Sequence, residues 1–184
     1  DSANSRWFFF DSASRPFGMV NLNPDTEIGG AWGSGYRYNT EEIKGISHVH
    51  AWQLSGLSVM PVSTDLSIEA LKSDYYSPFS HENETVKPGF HAFELERYGI
   101  DVELTATTRV GFHRYTYKKG SPQQVLLTLG GVLGPTELGQ SEANQVQRNA
   151  IQGFVTNLPT YRRTRPTKVY FYAEFNRDIE RLDS

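Results

Sequence analysis

Residues 80–114 read SHENETVKPGFHAFELERYGIDVELTATTRVGFHR. Three strand-like runs follow one another here with almost no linker. Phe90 and Ala92 alternate with His91, Phe93 and Leu95. Val102, Leu104 and Ala106 alternate with Asp101, Glu103 and Thr105, and Val110 and Phe112 continue the pattern after Thr108 and Arg109. A period of two marks a half-buried strand. Pro88-Gly89 and Tyr98-Gly99 fall between the runs, where consecutive antiparallel strands need turns. Working outward, Val169, Phe171, Ala173 and Phe175 alternate with Tyr170, Tyr172 and Glu174. Residues 124–129 form a short apolar run. Residues 149–156 read as a weaker strand, in which Gly153 points to a bulge or a close backbone approach. Lys119-Gly120 and Gly130-Gly131 add further turns. Helix signals are confined to 65–72 and 178–182. The first seventy residues, rich in Gly, Ser, Asn and aromatics, read as long ordered loops of the kind that carry function. The expected fold is all-β: one large antiparallel β-sandwich (a supersandwich) over residues 1–184, with long loops gathered on one rim and little helix.

Composition narrows the possible functions. The chain has 184 residues and a formal net charge of −3. The two signs are interspersed and no basic stripe exists, which argues against nucleic-acid binding by charge. No apolar run approaches the ~20 residues of a membrane span. Cysteine is absent, so disulfides, thiolate metal sites and Cys nucleophiles are excluded. Eleven Phe, ten Tyr and three Trp suit a sheet core or a face on which sugar rings stack. The first residue is Asp1, not Met, and FNRDIERLDS follows directly on a strong strand. Both read as marks of a piece of a longer protein.

Several clusters carry possible chemistry. His48 and His50, two apart in SHVH, share one face of a strand and could chelate a metal, but no third ligand motif accompanies them. Glu82 and Glu84 could form a glycosidase carboxylate pair. The Pro-Gly turn that follows favours a structural corner instead, with Ser80 and Asn83 satisfying backbone groups. Asn83-Glu84-Thr85 also matches a glycosylation sequon, which matters only in a eukaryotic secretory setting. Trp32 and Trp52 sit in Gly/Ser-rich segments and are candidates for sugar or partner contact. No Ser-His-Asp order, nucleophile elbow or phosphate loop is present.

The ordered set PFGMVNLNPDT (16–26), GYRY (35–38), IKGISHVH (43–50), SPFSHENETVKPGFHAFEL (77–95), IDVELTATTRVGFHRYTY (100–117) and VYFYAEF (169–175) resembles glycoside hydrolase family 92. These are calcium-dependent exo-α-mannosidases. The resemblance runs across nearly the whole chain. It implies the N-terminal β-sandwich of a two-domain, inverting glycosidase. The catalytic carboxylates and the Ca²⁺ ligands are then expected outside this segment, in a C-terminal (α/α)₆ barrel of the same protein. It also implies that the segment alone is inactive and that the parent is a secreted or periplasmic bacterial enzyme acting on mannose-containing glycans. Trp32 matches the family's leaving-group loop by order. His48, His50 and Trp52 fall where specificity is set, and AWQ departs from the family's common form there. Ser80, His81, Glu82 and Glu84 are then expected to order loops at the domain junction. The alternatives are a stand-alone carbohydrate-binding sandwich, marked by an exposed aromatic platform at Tyr170, Tyr172 and Glu174, and a structural interaction domain.

Overall fold

The computed structural model describes residues 3, 13–29, 35–51, 54–134 and 136–183. The strands are β1 (Asn23–Asp25), β2 (Glu42–Ile43), β3 (Gly45–Ala51), β4 (Leu54–Val62), β5 (Ser77–Pro78), β6 (Thr85–Lys87), β7 (Phe90–Leu95), β8 (Ile100–Ala106), β9 (Gly111–Thr116), β10 (Gln124–Thr128), β11 (Gly131–Leu133), β12 (Thr136–Gln147), β13 (Ala150–Asn157) and β14 (Thr167–Glu174). A single turn of α-helix, α1, spans Ile68–Leu71, and a 3₁₀ turn spans His81–Asn83. The all-β expectation holds, and every named pairing is antiparallel.

The quoted stretch forms the meander β6-β7-β8-β9. Its period of two is visible as burial. In β8, Ile100, Val102, Leu104 and Ala106 are buried while Asp101 is exposed. Val110 and Phe112 do not continue β8; the chain turns at Thr107–Val110 and returns as β9. The inner face of this meander shares one core with the sheet β1-β3-β4-β10, through Phe93, Leu95, Val102, Ile46, Met60 and Val62. Each such side chain, fully buried, contributes about 1.5–3 kcal/mol relative to exposure.

The third large sheet, β11-β12-β13-β14, packs on β4 at Gly56. The position a Cβ would take there lies 3.2 Å from Val155 Cγ2, and the φ of +127° suits glycine alone. The next residue, Leu57, also has positive φ. The β3–β4 register is continuous, yet the pair His48–Leu57 is missing from it. The rotated Leu57 carbonyl accepts from the His48 side chain instead, at 2.6 Å.

Some expectations are corrected. The first seventy residues hold more than loops, since β1, β3 and β4 carry buried core residues. Residues 178–182 are not helical. At Gly153 the backbone approach is real: a Cβ would stand 1.9 Å from the Glu142 carbonyl oxygen. The register shifts of β12 lie elsewhere, between Leu138 and Ser141 and between Gln145 and Gln147.

Candidate functional site

Ser80 opens the 3₁₀ turn as its cap, with its hydroxyl oxygen accepting from the Glu82 N–H at 3.2 Å. The turn separates the two glutamates. Glu82 is exposed, and Glu84 is folded inward. They are not neighbours on one strand face, which removes the basis for reading them as a catalytic pair. The Glu84 carboxylate is 6% exposed and accepts from the Tyr36 hydroxyl at 2.8 Å, His81 Nδ1 at 2.6 Å and His91 Nε2 at 2.7 Å. Burial would raise its pKa. The bonds from His91, His81 and Tyr36 outweigh burial and hold it below the ordinary value. A general acid needs the opposite shift. His81 also stacks on Tyr38 at 4.2 Å between ring centroids, and its Nε2 lies 2.7 Å from the Tyr38 carbonyl. The cluster therefore clamps residues 36–38 to the meander.

A second network stands on β3. His48 and His50 share a face, as strand geometry requires, but their surroundings differ. His50 is buried, with Nδ1 2.6 Å from the Asn21 carbonyl and Nε2 2.6 Å from Asp25 Oδ1. Both partners are acceptors, so both bonds require a proton on each nitrogen. Burial would lower its pKa, but the charge and hydrogen bond of Asp25 prevail and raise it. The other Asp25 oxygen accepts a short bond from the Ser47 hydroxyl.

His48 belongs to a neutral relay. Its Nδ1–H donates to the Leu57 carbonyl, leaving Nε2 as an acceptor. His113 Nε2 lies 2.9 Å away and donates to it; the Tyr115 hydroxyl in turn donates to His113 Nδ1 at 2.8 Å. Burial lowers both histidines, His113 strongly, and raises Tyr115.

These contacts have a common consequence. Thr26 and Glu27 pair with Gly35 at the base of the segment that contains Trp32. Asp25 and Tyr36 flank that base. Ala51 pairs with Leu54 at the end of the β3–β4 hairpin, beside His50. The Asp25–His50 bond thus ties the root of one Trp-bearing segment to the root of the other, while Glu84 fixes Tyr36 on the far side. Trp32 and Trp52 themselves lie outside the described residues. Sequence reasoning missed Asp25, Tyr36, His91, His113 and Tyr115. For the last two a signal existed: HRYTY places His113 and Tyr115 two apart on one strand face, by the rule that pairs His48 with His50.

Fold and site define a β-sandwich in which the buried carboxylates of Asp25 and Glu84 tie loop roots to strands. The chain belongs to the glycosyl hydrolase family 92 N-terminal domain family, whose model matches residues 2–184. The fold is similar to that of the family GH92 α-mannosidase BT3965 from Bacteroides thetaiotaomicron, with a TM-score of 0.82 and 24% identity over 98% of this chain and 26% of that one. It is also similar to the GH92 family glycosyl hydrolase ccman5, with a TM-score of 0.66 and 21% identity over 93% of this chain and 25% of that one. The GH92 inverting mannosidase BT2199 from Bacteroides thetaiotaomicron VPI-5482 gives a TM-score of 0.60 and 19% identity over 85% of this chain and 24% of that one. The chain therefore spans about a quarter of the length of these solved relatives. No curated protein sequence matches it.

Proposed function

We propose that this domain is the N-terminal sandwich of a longer, inverting exo-α-mannosidase and frames part of its mannoside pocket. The observation that carries this reading is the family match over residues 2–184, in a chain that covers only a quarter of its GH92 structural relatives. The site supports it from within. The two buried carboxylates described above, Asp25 and Glu84, are saturated by donors. The acid and base of the reaction are accordingly assigned to the (α/α)₆ domain of the parent, as are the calcium ligands. Among the described residues no group of three His, Asp or Glu side chains is placed to hold a metal. His48 and His50 act on substrate through the segments they hold. Trp32 is assigned the sugar contact at the leaving-group side, and Trp52 the contact where specificity is set. Among the described residues no helix is long and apolar enough to cross a membrane, and secretion or periplasmic export is the location that suits extracellular glycans.

The test is mannose release from α-linked mannobioses by this chain and by its longer parent, each with calcium and with chelator. Activity confined to the parent, and dependent on calcium, is the expected result. Mannose release by this chain alone overturns the assignment of the catalytic carboxylates to the other domain.

A further inference from the structure

β14 is an edge strand of its sheet. Tyr170 and Tyr172 on it are 71% and 52% exposed, and strand geometry puts them on one face about 7 Å apart. The register fixes their neighbours. Phe154 on β13 stands opposite Tyr170, and Gln152 opposite Tyr172. On β12, Glu142 and Asn144 stand opposite Phe154 and Gln152. The result is a row of two aromatics and a carboxylate beside a row of one aromatic and two amides. Val155 and Val169, on the other face, are the side that packs toward β4. Two charges at the patch are already engaged. Lys168 Nζ lies 3.9 Å from the Phe154 ring centroid, and Glu142 accepts from Asn144.

We propose that this outer face of β12–β14 binds pyranose rings of a mannose-containing glycan chain. A pyranose presents an apolar C–H face and a rim of hydroxyls. Exposed tyrosine rings match the first, and amides matched to neighbouring rings serve the second. Size separates this occupant from a protein. At 150–250 Å² per aromatic side chain, the two tyrosines offer roughly 250 Å², against the ~800 Å² per partner of a stable protein interface. Phe112, an outward aromatic on β9, lacks this setting: it has Glu103 and Arg114 beside it, paired to each other as ions. The choice of mannose rests on the mannosidase reading; the site rests on the rings and their register.

The test is native affinity electrophoresis of the 184-residue chain in gels with and without soluble α-mannan, with hydroxyethylcellulose as a second polymer. Retardation by mannan is expected. The double substitution Tyr170→Ala and Tyr172→Ala should weaken apparent affinity at least tenfold with unchanged circular dichroism, and Phe17→Ala, at a fully exposed aromatic away from this sheet, should leave it unchanged. Retardation that survives the tyrosine substitutions overturns the site. Retardation by hydroxyethylcellulose but not by mannan overturns the choice of mannose. Absence of retardation overturns the proposal, and shielding of Tyr170 and Tyr172 from tetranitromethane in the longer parent then assigns the face to packing against the rest of that protein. In that last case mannobiose hydrolysis by the parent still stands or falls separately.

Discussion

Glu84→Ala is the sharpest test of the loop-anchoring reading. The substitution removes the acceptor shared by Tyr36, His81 and His91. Tyr36 is 2% exposed and His91 0%, so neither donor faces bulk water. His81 is partly exposed and can be rehydrated. Loss of the carboxylate acceptor shared by two buried donors, at about 1–3 kcal/mol each, gives a loss near 4 kcal/mol. For a domain of this size that lowers the Tm by roughly 8–16 °C. Glu84→Gln keeps the shape and one carbonyl acceptor, and should cost about half as much. The pH dependence separates charge from packing. The carboxyl of Glu84 is depressed in the folded state, so its contribution is present above its unfolded value of about 4.5 and is lost as pH falls through the lower, folded value. Glu84→Gln should lack that part of the acid limb. Thermal unfolding of the three proteins by circular dichroism, at neutral pH and below about pH 4.5, supplies the measurement. A Tm for Glu84→Ala within about 2 °C of the unsubstituted chain would refute the reasoning, because it would mean that the three donors find other partners.

Asp25→Asn should destabilise by about 3–5 kcal/mol where His50 is protonated. The raised pKa of His50 makes this loss largest below about pH 6.5 and smaller as pH rises through the folded value, which urea titrations at two pH values would show. His113→Phe removes a buried base whose pKa is lowered. The unfolded state takes up that proton first, so the variant should lose less stability than the native chain as pH falls below about 6.5. Gly153→Ala places a Cβ against the Glu142 backbone, and should cost about 3 kcal/mol or more, read as a lowered urea midpoint.

The legible part of the fold is the part where one face is apolar and the other is not. β7, β8 and β14 alternate cleanly in sequence, and their burial follows the same alternation. β12 was illegible for the converse reason. TELGQSEANQVQ carries polar residues on both faces, and it is held by its long pairing with β13 rather than by burial. β3 was hidden differently. In GISHVHA the inward positions after Ile46 are histidines, whose burial is made possible by Asp25, Asn21 and His113. Those partners lie 25, 29 and 65 positions away, beyond any local pattern. For the same reason SHENE revealed a corner but not its content. The turn and its Ser80 cap are local, whereas the bond from Tyr36 to Glu84 spans 48 residues. A local motif can announce that polar groups will be satisfied without saying by what.

The buried networks also bear on why a sandwich with an ample apolar core should hide charges at all. A buried ion pair returns little net stability over apolar residues of the same volume, but breaking it is costly. That asymmetry suits positioning. Apolar contacts between loop roots tolerate sliding and repacking, while a carboxylate that must meet three donors at once tolerates little displacement. Asp25 meets Ser47 and His50; Glu84 meets Tyr36, His81 and His91. Together they fix residues on both sides of one Trp-bearing segment and at the root of the other. On the proposed function, the segments between such fixed roots must meet something with defined geometry. A mannoside held against a second domain is such an object. On the proposed function, loosening Glu84 or Asp25 should raise the KM of the parent enzyme before it lowers kcat, because that reading assigns the reacting groups to the other domain and part of the binding surface to this one.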